Sequence, residues 1–252
     1  MPAIDDGIFN PDLYLERLER SIIESVPAPV AVIVSFPSNP TAQVVSLEFY
    51  EEVVKIALKY NVYILSDLAY AEIYYDNSPP PSILQIPKAK EVAVEFTSMS
   101  KTYAMAGWRI GFAVGNKRLI NALTRIKSYL DYGAFTPIQV SAAAALNGPQ
   151  DCVQEIRNIY QKRRDVLINS MSRAGWNIPS PKASMFAWAP IPDKYKDKGS
   201  LEFAKELMLK ADVAVSPGVA FGEFGEGFVR VGLVENEQRI KQAAKNIKKL
   251  LQ

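Results

Sequence analysis

The chain has 252 residues, 48% of them apolar, with 29 basic and 27 acidic side chains and a formal net charge of +2. That is enough to bury a substantial core, and so balanced a charge gives no reason to expect nucleic acid or a membrane surface as partner. The lone cysteine, Cys152, cannot form an internal disulfide and fits a reducing, cytoplasmic setting, while the lack of histidine excludes Ser-His-Asp and Cys-His catalysis and histidine-ligated metals.

No apolar run approaches the roughly 18 residues of a membrane span, and Met1–Asp6 does not read as a signal peptide. Pro29–Phe36 is a continuous β-branched run, as expected of a parallel strand covered on both faces. A turn follows at Pro37–Thr41, after which Ser46 is placed to cap a helix reaching about Tyr60. Val62–Leu65 reads as a second buried strand ending in Ser66-Asp67, Glu91–Thr97 as a third ending at Ser98, and Arg109–Val114 as a fourth. This alternation argues for an open, mostly parallel α/β sheet, which binds ligands at the carboxyl ends of its strands. Asn39 just beyond the first strand, Asp67 at the second, and Ser98 and Lys101 at the third are therefore expected along one edge.

Asn116–Tyr129 and Thr136–Leu146 read as helices, the second with Thr136 as N-cap and Pro137 at its first position. Asn147-Gly148-Pro149 punctuates the chain and sets the expected boundary between a domain over residues 1–147 and one over 148–252. Val153, Ile156, Tyr160, Leu167 and Met171 then line a long helix stopped by Gly175. Ser184–Ala189 and Phe228–Leu233 look like strands and Glu237–Leu251 like a closing helix, an α+β layout for the second domain.

Taken singly, the polar residues at these strand ends have ordinary explanations. Lys101 fits a solvated surface, Asp67 a strand-end cap, Tyr70 core packing and Arg109 a structural ion pair. Arg230 is harder to dismiss, because a charge inside the apolar run Phe228–Leu233 must find a partner or face a cleft. The glycines at 218, 222, 225 and 227 read as turn chemistry. Neither a GxGxxG fingerprint nor a GxxxxGK[ST] loop is present. Without histidine, a lysine of depressed pKa becomes the natural proton carrier.

Together these residues supply what pyridoxal phosphate requires: a lysine for an imine, a carboxylate for the ring nitrogen, donors to the ring hydroxyl and a phosphate site. Ser-Asn-Pro-Thr at Ser38–Thr41, Ser-Asp-Leu-Ala-Tyr at Ser66–Tyr70, the segment Ser98–Gly111 and the segment Gly227–Leu233 carry the resemblance. In their order and spacing the chain resembles the pyridoxal-phosphate-dependent class I/II aminotransferases of fold type I over essentially its whole length. The resemblance implies Lys101 as Schiff-base lysine and proton carrier, Asp67 as the carboxylate on the pyridine nitrogen, and Asn39 and Tyr70 as donors to the ring's 3′ oxygen. It implies Ser98 and Arg109 as phosphate ligands, and Arg230, with Asn39, as the grip on the substrate carboxylate.

Asp131–Phe135, Pro181–Ser184 and Pro217–Gly222 are most similar to alanine (glutamate–pyruvate) and LL-diaminopimelate aminotransferases. The resemblance further implies amino acid and 2-oxo acid substrates, a cytoplasmic homodimer, and an N-terminal portion of the large domain ahead of what is present here. That portion would carry the rest of the phosphate cradle and the residue stacking on the ring. Without it an edge and a face of the sheet should be uncovered, and the 252 residues alone are expected to bind pyridoxal phosphate weakly and to transaminate poorly. A β-lyase of the same fold type and a noncatalytic module derived from the fold are the other readings.

Overall fold

The computed structural model describes residues 4–5 and 8–251. They group into two compact units. The first comprises the described residues up to Pro37, Val44–Glu72 and Pro79–Gln154; the second comprises Ser38–Gln43, Ile73–Ser78 and Glu155 onward.

In the first unit β1 (Ile4–Asp5) and β2 (Ile8–Phe9) pair antiparallel. Helix α1 (Pro11–Glu24) follows, an element beyond those expected. Its start is chemically ordinary: the Asn10 side chain accepts the Leu13 N–H at 3.0 Å, and Pro11, which has no N–H to satisfy, opens the first turn. Strand β3 (Ala31–Ser35) leads into α2 (Leu47–Tyr60), capped by Ser46 as the sequence indicates and closed by Asn61 in the left-handed region at φ 54°. Then come β4 (Tyr63–Asp67), α3 (Ala89–Val92), β5 (Ala93–Ser98), α4 (Met99–Thr102), β6 (Gly111–Gly115), α5 (Lys117–Leu130) and α6 (Thr136–Asn147).

The sheet order is β3-β4-β5-β6, with the first three strands parallel and β6 antiparallel to β5. Phe49, Tyr50, Val53, Val54 and Ala57 of α2 are buried with Val34, Ile64 and Ala93 of the strands and Leu18 and Ile22 of α1. On the opposite face Ile33 is 72% exposed. Phe112 and Val114 of the edge strand β6 are exposed too, although register puts them on the same face as Val34.

Several strands begin or end one or two residues from the sequence reading, and three differences have a local cause. The third strand starts at Ala93 because Ala89–Val92 closes a helical turn that takes in Glu91. The fourth starts at Gly111 because Ala106–Trp108 forms a 3₁₀ turn and Arg109 is left-handed at φ 52°. Thr136 is not the N-cap of α6; it already lies within the helix, Phe135 holds the cap position, and Pro137 falls one residue further in.

The second unit contains most of α7 (Asp151–Ala174), then β7 (Phe186–Pro190), α8 (Gly199–Ala211), β8 (Ser216–Pro217), β9 (Phe228–Gly232) and α9 (Glu237–Leu251). Gly175 stops α7 at φ 91°. Helix α8, like α1, adds to the expected elements; it begins at a glycine with no side-chain cap, so no start signal marks it. The antiparallel sheet has the order β7-β9-β8. Its strands alternate: Ala187, Ala189, Val229 and Val231 are buried with Leu167, Met171, Phe203 and Leu207, while Phe186, Trp188, Phe228 and Arg230 fall on the other face. Among the described residues no helix is long and apolar enough to cross a membrane.

Candidate functional site

In the first unit β3, β4 and β5 run parallel and end at Ser35, Asp67 and Ser98, so one sheet edge collects their C-terminal side chains. Register places Ser35 opposite Asp67 and Asp67 opposite Phe96. The Asp67 carboxylate accepts the Ala69 N–H at 3.1 Å through Oδ1, and Ser35 Oγ stands 3.5 Å from Oδ2. It remains exposed, with oxygen lone pairs free to accept a further N–H donor.

At the next strand end Ser98 turns β5 into α4, its Oγ accepting the Ser100 N–H at 3.2 Å. The single turn that follows sets Lys101 half-buried, with Nζ 5.9 Å from the centroid of the Tyr70 ring. Arg109 reaches back over the same segment. Its Nη1 donates to the Ala106 carbonyl at 3.1 Å and lies 3.5 Å from Ser100 Oγ. The left-handed backbone at Arg109 reverses the chain after the 3₁₀ turn and lets Met99 N–H bond the Ile110 carbonyl at 3.2 Å. Gly111 then enters β6, where a Cβ would lie 2.5 Å from the Thr97 carbonyl oxygen. One local fold thus presents an amine, a carboxylate, a phenol, hydroxyls and a guanidinium from residues 67–109.

Asn39 and Arg230 fall in the second unit. Arg230 sits on the central strand β9, with Trp188 directly opposite on β7 and Ser216 directly opposite on β8. Its Nη1 donates to Asn39 Oδ1 at 2.6 Å and its Nη2 to Ser216 Oγ at 3.3 Å. Its Cζ lies over the Phe186 ring at 4.2 Å from the centroid and over the Phe221 ring at 4.7 Å. The half-buried charge therefore has the partners that an arginine in an apolar strand must find. A guanidinium so held can receive a carboxylate through two parallel bonds.

Sequence reasoning did not single out Ser35, Ser100, Ser216, Phe186 or Phe221. Ser100 stands beside Lys101 in the motif and was within reach. Phe186 shares the alternation of β7 with Trp188, but its proximity to Arg230 follows only from the pairing of β7 with β9. Ser216 and Phe221 lie in a segment whose order, β8 joining the far side of β9, no local pattern reveals.

A family model described as aminotransferase class I and II matches residues 10–247. The chain is 59% identical over 247 residues to a putative aminotransferase, AatC, from Rhizobium meliloti, covering 98% of this chain and 60% of the relative. It is 57% identical over 235 residues to the glutamate-pyruvate aminotransferase AlaC of Escherichia coli, covering 93% of this chain and 57% of that one. The chain thus spans about 60% of the length of the curated relatives it matches. Among solved structures, substrate-bound BacF from Bacillus subtilis superposes with a TM-score of 0.84 at 32% identity, over 98% of this chain and 59% of that one.

Proposed function

This chain belongs to the aminotransferase class I and II family, and on that premise we propose that the protein transfers an amino group between an L-amino acid and a 2-oxo acid. The family depends on pyridoxal phosphate, and the donor set of the first unit fits that cofactor. The observation that carries the reading is the edge where Asp67 ends β4 and Ser98 ends β5 into the turn bearing Lys101.

When bound, pyridoxal phosphate supplies an aldehyde carbon and a protonated pyridine ring that draws electrons from the substrate's Cα. In this reading Lys101 would hold the cofactor through its amine and, once displaced by substrate, carry the proton to and from Cα. Asp67 would keep the ring nitrogen protonated by charge pairing. Tyr70 would donate its hydroxyl to the ring's 3′ oxygen. Ser98 and Arg109 would hold the phosphate, Arg109 as a forked donor.

Arg230 would grip the substrate carboxylate and so fix which Cα bond is presented for cleavage. Asn39 accepts from Arg230 through its carbonyl oxygen, so its NH₂ would be the end available as a donor to the ring's 3′ oxygen. The likeness to a glutamate–pyruvate aminotransferase supports alanine, glutamate and their oxo acids as substrates.

The test is spectroscopic. The purified protein, given excess pyridoxal phosphate, is expected to develop a weak visible absorbance band that Lys101→Ala lacks, that L-alanine or L-glutamate bleaches and that a 2-oxo acid restores. An unchanged spectrum in Lys101→Ala would sink the assignment. Release of pyruvate and ammonia with no 2-oxo acid required would point to a β-lyase instead.

A further inference from the structure

The surroundings of Arg230 contain more than its hydrogen-bond partners. The face of the β7-β9-β8 sheet that carries it is aromatic: Phe186 and Trp188 from β7 and Phe228 from β9 share it. Phe221 reaches Arg230 from the 3₁₀ turn Gly218–Phe221. Trp188 braces that ring edge-on at 5.9 Å and stacks on Phe228 at 5.4 Å with the planes 11° apart.

The turn itself is tightly fixed. A Cβ at Gly218 would lie 1.8 Å from the Gly225 carbonyl oxygen, and one at Gly225 would lie 2.1 Å from that of Gly218, so the two strands of the loop meet backbone to backbone. Buried Ser200 anchors the same loop: its Oγ accepts the Val219 N–H at 3.1 Å and donates to Glu226 Oε2 at 2.9 Å. Phe221 is therefore delivered to Arg230 by a rigid support rather than by a loose loop.

We propose that Phe186 and Phe221 are positioning residues that set the plane of the Arg230 guanidinium, so that the site accepts a carboxylate approaching edge-on. This rests on the reading of Arg230 as the substrate-carboxylate residue. The physical basis is twofold. Aromatic rings attract a guanidinium laid over them, the more so when it is partly desolvated. A guanidinium face covered by a ring cannot take an anion, so the carboxylate must meet the N–H groups in their plane, where the two-bond geometry is available. Asn39 and Ser216 fix the rotation within that plane and the two rings fix its tilt.

The test uses pyruvate alone as the probe, its binding followed by isothermal titration calorimetry in the purified protein. Phe221 is 38% exposed, so its replacement should not prevent folding, and a thermal melt checks this for every variant. Phe221→Leu keeps apolar bulk but loses the π face, and is expected to weaken pyruvate binding about fivefold. Phe221→Tyr keeps the ring and should bind within about twofold of the unaltered protein. Arg230→Ala should remove binding. Wild-type affinity in Phe221→Leu, equal losses in the Leu and Tyr variants, or no pyruvate binding by the unaltered protein would each overturn the proposal. The Lys101-dependent absorbance band reports separately on the cofactor, so its absence beside an intact Phe221 effect would sink only the cofactor reading.

Discussion

Arg230 Nη1 donates to Asn39 Oδ1 at 2.6 Å, joining residues 191 positions apart in sequence. On the other side of the guanidinium Nη2 donates to Ser216 Oγ at the longer distance of 3.3 Å. The short bond from a charged donor is the stronger of the two, and it ties the Ser-Asn-Pro-Thr turn to the central strand of the second unit.

That difference sets an order of effects. Asn39→Ala should weaken pyruvate binding about tenfold and Ser216→Ala about threefold, in keeping with hydrogen bonds to a charged group of unequal quality. Calorimetric titration of the two variants checks the order. A larger loss from Ser216→Ala than from Asn39→Ala would contradict it.

The buried arginine Arg164 makes a separate, structural pair. It donates to both carboxylate oxygens of Asp76, at 2.6 and 2.8 Å, and its Nε donates to Asp165 at 2.8 Å. The Arg164 side chain is 6% exposed while Asp76 is 61% exposed. Asp76→Asn should therefore cost about 1–2 kcal/mol, less than for a pair buried on both sides. Hydrogen bonding to Arg164 holds the Asp76 carboxyl below the usual aspartate range. Its contribution to stability is thus present above the ordinary value and is lost as pH falls through the lowered one. Thermal melts from neutral pH downward should show wild type and Asp76→Asn converging at the acid end.

Glu95 has the opposite sign. It is 5% exposed on β5, accepting from Ser82 Oγ at 2.8 Å and from the Ile83 N–H at 3.1 Å. Burial outweighs those bonds and pushes its carboxyl above the usual glutamate range. The folded state therefore holds the proton more tightly than the unfolded chain. The stability this gives is complete below the ordinary value and is lost as pH rises through the raised one. Glu95→Gln should flatten that decline between mildly acidic and neutral pH, a change read from melting temperature against pH. A decline identical to that of wild type would assign it to another group.

Much of the first unit was legible because its signals are local. The β-branched run ending at Ser35, the Ser46 cap and the buried strand ending at Asp67 each declare themselves within a few residues. Arg109 misled as a strand residue because its left-handed backbone is set by the 3₁₀ turn before it and by the return pairing of β6 on β5, not by its side chain. The mismatch at Thr136 has the same character, a good capping residue already drawn into the helix.

By itself the sequence determined the residue types. It supplied a lysine among hydroxyls, a carboxylate at a strand end, an arginine alone in an apolar strand, and no histidine to take their place. Those facts are local chemistry, and they point to the reaction class. Tertiary structure decided which groups meet. Asn39 reaches Arg230 although it follows β3 of the other unit, and Phe186, Ser216 and Phe221 gather at the same guanidinium from separate elements. The physical reason is that strand order and register are fixed by burial of the alanines and valines on the far face of the β7-β9-β8 sheet. The position of a functional side chain on the near face follows from that packing, which no local pattern around Arg230 encodes.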